Sequence, residues 1–107
     1  MKILHLIGSQ TSDYYYGVSK VFASGCLEVL AHEDNVILLG RLDGTWSIAS
    51  TLEEAESSRV EKMTLPQVLG ILKEEKFDIM QPQMFCYRGI NLPIYFPRYQ
   101  CDFQRKN

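Results

Sequence analysis

The sequence predicts an α/β fold, a small three-layer unit with a mostly parallel sheet and one short antiparallel return strand. Three observations carry this. Residues 3–7 form a short apolar run that is continuous rather than alternating, the mark of a strand covered on both faces; residues 36–39 are a second apolar strand, and residues 77–80 read as a third. Helical patterns with cap residues lie between these runs. A single Asp43-Gly44 turn signal follows the second run, and a two-residue turn of this kind folds a strand back on its neighbour. With 107 residues, 46% hydrophobic and 22% charged, the chain has the size and composition of one globular domain.

The elements follow in order. Residues 3–7 make the first strand, and Gly8-Ser9 ends it. Residues 8–12 are small and polar, a loop, and Ser12 or Asp13 can cap the helix that follows, because their side-chain oxygens accept from the free first-turn amides. Val18, Val21, Phe22, Cys26, Val29 and Leu30 recur at threes and fours, which predicts a helix of about 16 residues with that stripe turned to the core. Gly25 inside it predicts close approach to the sheet. Residues 36–39 are the second strand, and residues 45–48 alternate as an antiparallel return. Ser50 and Glu53 have the spacing of a capping box for a short acidic helix, and residues 55–63 read as polar and exposed. Thr64 caps another helix, with Pro66 tolerated in its first turn and Leu65, Val68, Leu69 and Leu72 as its buried face. Residues 77–80 form the third parallel strand, Pro82 closes it, and a loop begins at Gln83. Right-handed crossovers join such strands, giving a Rossmann-like unit.

Charge excludes some partners. The net charge is −2, with no basic cluster of the kind that tracks phosphates, so a nucleic-acid partner is not expected. No run approaches the ~20 apolar residues of a membrane helix. The apolar opening is too short for a signal peptide and contains His5. Cys26, Cys86 and Cys101 are odd in number and widely spaced, without the Cys-x-x-Cys or Cys/His spacing of a zinc site. The expectation is a cytoplasmic chain with reduced thiols.

Ligands of parallel α/β folds bind at the carboxyl ends of the strands, here at residues 8–11, 40–41 and 81–83. The Gly8 loop runs from a strand into a helix, where free backbone amides favour an anion, yet neither GxGxxG nor GxxxxGK[ST] occurs. Gly8, Ser9, Ser19 and Gln83 are the candidate substrate-binding residues, and no residue is assigned a catalytic or metal-binding role. Of the adjacent rings Tyr14, Tyr15 and Tyr16, at least one is expected to cover the Gly8 loop. Lys20 reads as a solvated helix lysine, His5 as a core histidine of a central strand, and Cys86 as structural, since no neighbouring base lowers its pKa.

A family resemblance joins these pieces. Residues 2–9 and 18–28, with Val18-Ser19-Lys20-Val21-Phe22, resemble the opening of D-alanine–D-alanine ligase-like ATP-grasp proteins. Asp43-Gly44-Thr45-Trp46 resembles that family's DG-x-W hairpin. Phe77-Asp78-Ile79-Met80-Gln81-Pro82-Gln83-Met84-Phe85-Cys86 resembles its third strand and loop, closest to a cyanobacterial branch that joins amino acids to a mycosporine core. This sequence departs from the better-known ligases at two places, with Gly17 before Val18-Ser19 and Met84-Phe85 after Gln83, positions at which the mycosporine branch differs too.

The resemblance covers residues 1–90, read as a pre-ATP-grasp domain, with residues 91–107 as a divergent, weakly ordered tail. It implies the substrate-side, N-terminal domain of an ATP-dependent carboxylate–amine ligase. ATP and Mg²⁺ would belong to other domains of the complete enzyme, so no cofactor is expected in this chain and it is expected to be inactive alone. The implied partners are the ATP-grasp domains or a companion chain and an amino-acid-like substrate, with self-association through an open sheet edge. The alternative is a stand-alone module that binds a small molecule or docks on a protein.

Overall fold

A computed structural model describes residues 1–84, and the expectations for Cys86, Cys101 and the tail lie outside those residues. The order is β1 (Lys2–Gly8), α1 (Asp13–Val29), β2 (Asp34–Gly40), β3 (Trp46–Ala49), α2 (Leu52–Glu56), α3 (Leu65–Lys73) and β4 (Ile79–Pro82). The four strands lie in the order β3-β2-β1-β4. β1 pairs in parallel with β2 and with β4, and β2 pairs antiparallel with β3. This is the α/β fold the apolar runs predict.

Alternation along β1 divides the core. Leu4 and Leu6 face α3 and pack with Leu38, Trp46, Val68 and Leu72. Ile7 faces the other way, with Ile37, Leu39, Ala23 of α1 and Ala55 of α2. A strand buried on both faces has no use for a polar row, which is why its sequence reads as unbroken hydrophobicity.

The hairpin forms as its turn residues dictate. Gly44 takes φ +89°, Arg41 N donates to Thr45 O at 2.9 Å, and Asp43 Oδ1 accepts from Thr45 N at 2.9 Å. Hydrogen bonds from Thr45 and the Lys62 ammonium hold the Asp43 carboxyl well below its usual range. Trp46 then exchanges both backbone bonds with Met63, at 2.7 and 2.8 Å. Residues 55–63 are therefore not wholly exposed: Ala55 is fully buried and Met63 nearly so. The cap of α2 is Thr51, whose side chain accepts from Glu54 N; Ser50 stands one residue too early. Thr64 and Gln67 form a reciprocal capping box on α3.

The largest difference lies in α1. Its buried residues are Ser19 and Ala23, whereas Val21, Phe22 and Val29 are 72%, 58% and 73% exposed. A Cβ added to Gly25 would meet nothing within 4 Å, so this glycine does not serve approach to the sheet. The small Ser19 and Ala23 let the helix lie close on the sheet, and that contact sets the rotation of α1 in place of the apolar stripe.

β4 also runs later than predicted and contains Pro82. Gln83 N donates to Leu6 O at 2.7 Å. Alternation then aims the Pro82 nitrogen away from β1, toward the outer edge of the described sheet, where a missing N–H breaks no bond to β1.

Candidate functional site

Gly8, Ser9, Ser19 and Gln83 come together at the carboxyl edge of the sheet. Gly8 ends β1 with φ +104°, and a Cβ there would stand 2.2 Å from Gly40 O, so only glycine fits where β1 and β2 approach. Ser9 N then donates to Gly40 O at 3.1 Å. The buried Ser9 hydroxyl accepts from the Thr11 and Ser12 amides, each at 3.2 Å, and Ser12 Oγ accepts from Tyr15 N as the cap of α1.

Ser19 reaches this edge from the second turn of α1. Its hydroxyl accepts from Gly8 N at 2.8 Å and donates to Gln83 O. One buried hydroxyl therefore ties the end of β1 to the segment leaving β4. The Gln83 side chain donates to Cys26 Sγ at 3.2 Å, and Gln81 from β4 donates to the same sulfur at 3.9 Å.

This arrangement is a positioning cluster. The Ser19 proton and one of its lone pairs are committed, and among the described residues no base stands against it, so it is not built as a nucleophile. Two amides of the loop before α1 are held by Ser9, Tyr15 N in the first turn is held by Ser12, and Asp13 adds a carboxylate to that turn. Among the described residues no three His, Cys, Asp or Glu groups are clustered so as to hold a metal ion. No helix among them is long and apolar enough to cross a membrane.

Two side chains at the same edge escaped the sequence reading as site residues. Gln10 Nε2 donates to Thr45 O at 3.0 Å. Arg41 follows β2 directly and donates Nη1 to Ala55 O at 2.9 Å. The signal for both was their place at strand ends; their partners come from the hairpin and α2, which spacing does not reveal.

The tyrosines separate. Tyr14 is exposed and packs edge-on to Tyr15, with centroids 5.2 Å apart. Tyr16 donates its hydroxyl to Glu56 at 2.8 Å, and burial together with that carboxylate pushes its pKa up. Lys20 is not merely solvated, since its ammonium lies 2.9 Å from the same Glu56. The pair ties α1 to α2.

His5 is fully buried in the central strand. Asn35 gives both amide hydrogens to the carbonyls of Leu30 and Glu33, which turns its oxygen toward His5 Nε2 at 2.8 Å. His5 is thereby the Nε2–H tautomer, and Nδ1 has no partner among the described residues. Desolvation lowers its pKa.

Compared with protein-family models, curated proteins and solved structures, the chain matches none of them.

Proposed function

We propose that the chain is the substrate-side domain of a D-alanine–D-alanine ligase-like, ATP-dependent carboxylate–amine ligase, contributing part of an amino-acid site while ATP and Mg²⁺ are held by partner domains or a companion chain. The observation that carries this reading is the convergence of Gly8, Ser9, Ser19 and Gln83. They come from β1, its following loop, α1 and the end of β4, and parallel pairing of β1 with β4 brings them to one edge. Open α/β sheets bind ligands at that edge. In this role Ser19 and Gly8 set the backbone, while Gln10 and Thr11 after β1 and Arg41 after β2 are the strand-end side chains that would supply polar groups to a zwitterion.

A second reading, a stand-alone docking module, is favoured by the exposed apolar residues of α1. Calorimetry separates the two. Titration with Mg-ATP is expected to give no saturable heat, and a micromolar dissociation constant would overturn the ligase-fragment reading. A panel of free amino acids is expected to include one that binds, with Arg41→Ala weakening it at least about tenfold, about 1.4 kcal/mol. Heat from none of them leaves the docking module as the better reading.

A further inference from the structure

The Asp43-Gly44 turn holds a chemistry that its structural role does not use. It is the only place in the sequence where Asp or Asn precedes Gly. In such a pair the glycine nitrogen can attack the side-chain carboxyl of the residue before it, and glycine obstructs that attack least because it has no Cβ. The bond from Gly44 N to Asp43 Cγ forms, the amide proton and the carboxyl hydroxyl leave as water, and a cyclic succinimide results. Water then opens the ring at either carbonyl. One opening returns aspartate. The other leaves isoaspartate, whose main chain runs through the side chain of residue 43 and is longer by one methylene.

The hairpin opposes both halves of this reaction. Asp43 Oδ1 accepts from Thr45 N at 2.9 Å and from the Thr45 hydroxyl, and Oδ2 accepts from Lys62 Nζ at 3.2 Å. These donors keep the carboxyl ionised, and a carboxylate has no hydroxyl to lose. The nucleophile is engaged as well, since Gly44 N donates to Arg41 O at 3.0 Å and must give up that bond before it can turn onto Cγ. Access for water is not the obstacle, because Asp43 and Gly44 are both exposed.

We propose that Asp43 is the site of spontaneous isoaspartate formation in this chain, and that Thr45 and Lys62 set its rate by clamping the side chain. The modification reaches further than an exposed turn suggests. An added methylene between Arg41 and Thr45 displaces the 2.9 Å bond from Arg41 N to Thr45 O that closes the hairpin. Next along the chain stands Trp46, buried in the core and joined to Met63 by two backbone bonds. Isoaspartate at this position therefore loosens β3 and the seat of Trp46 together.

Ageing the full chain in warm, neutral buffer and mapping it with trypsin tests the proposal. Cleavage after Arg41 and Arg59 releases residues 42–59, in which Asp43 is the only Asp or Asn, so isoaspartate appears as a second chromatographic peak of unchanged mass. The free peptide 42–59 is expected to isomerise faster than the folded chain. Thr45→Val removes the hydroxyl donor and keeps the amide. It is expected to raise the rate in the folded chain about fivefold, the change in unclamped population that follows from one lost hydrogen bond, and to leave the rate of the free peptide unaltered. Thr45→Ser restores the hydroxyl and is expected to age like the parent. Lys62→Ala is expected to give a smaller rise, as befits an exposed ion pair. Equal rates in the folded chain and the free peptide, a Thr45→Val chain that ages no faster than the parent, or a Thr45→Ser chain that ages as fast as Thr45→Val each overturns the proposal.

Discussion

At the scale of single residues, two buried polar groups decide how this core responds to perturbation. Ser19→Ala removes the acceptor of the Gly8 amide and the donor to the Gln83 carbonyl. Each buried group left unpaired costs about 1–3 kcal/mol, so the expected loss is about 2–4 kcal/mol, read as a lower urea midpoint; a loss below about 0.5 kcal/mol would mean that the clamp is absent in solution. His5 adds a pH dependence. Its folded pKa lies below the 6.5 of a free imidazole because burial disfavours the cation, so the unfolded chain binds the proton more tightly. Its contribution to stability is complete above about pH 6.5 and is lost as pH falls through that value toward the folded pKa. The carboxylates Asp43 and Glu33 also titrate upward on unfolding, but at lower pH. Urea midpoints of the parent and of His5→Gln should therefore diverge between pH 7.5 and pH 5.5, the parent falling more steeply. Parallel curves would place the His5 ring in contact with water.

At the scale of elements, two glycines make opposite predictions. Gly8→Ala forces a side chain into a positive φ and against the Gly40 carbonyl. Strain of this kind costs about 1–3 kcal/mol before the clash is added, and the separation of β1 from β2 adds more. Gly25→Ala meets open space and gains about 1 kcal/mol of helix propensity, an expected rise of roughly 4–8 °C in the thermal midpoint. A fall on Gly25→Ala would show that the position touches something inside the chain. The pair also shows why α1 was the element least legible from sequence. Periodicity identifies that a helix forms and how long it is, but the most apolar stripe faces the core only when the core provides the contact. Here Ser19 and Ala23 are held inward by a hydroxyl bridge and by close approach to the sheet. Neither leaves a mark in a hydropathy pattern.

At the scale of the whole molecule, the sheet was readable because burial on both faces removes polar residues from β1 and β2, and because Asp43-Gly44 admits few geometries. Parallel order then carried the candidate site: once residues 77–80 are read as a strand beside β1, the ends of β1 and β4 must share an edge. Gly8, Ser9 and Gln83 were therefore reachable from topology, whereas Ser19 also depends on the rotation of α1, which topology does not fix. Their mutual hydrogen bonds, and the arrival of Arg41 and Gln10 beside them, depend on rotamers and on a hairpin whose packing no linear spacing encodes.

The pairing of β1 with β4 also orders events in time. β1 is central, yet one of its two neighbours comes from residues 79–82. Everything else that β1 touches in the sheet and α1 is complete by Ala49. Contacts between residues far apart in the chain form late, because closing the intervening loop costs entropy before any contact offsets it. The first half of the described fold is thus the natural nucleus, and for a time it exposes the bare side of β1 until β4 arrives to seal it. Truncations at Ile37 or Leu38 should slow refolding in stopped-flow experiments, whereas Ile79→Ala should leave the refolding rate nearly unaltered and speed unfolding. During synthesis, the unsealed flank of β1 is the interval in which a holdase chaperone would find this chain most accessible.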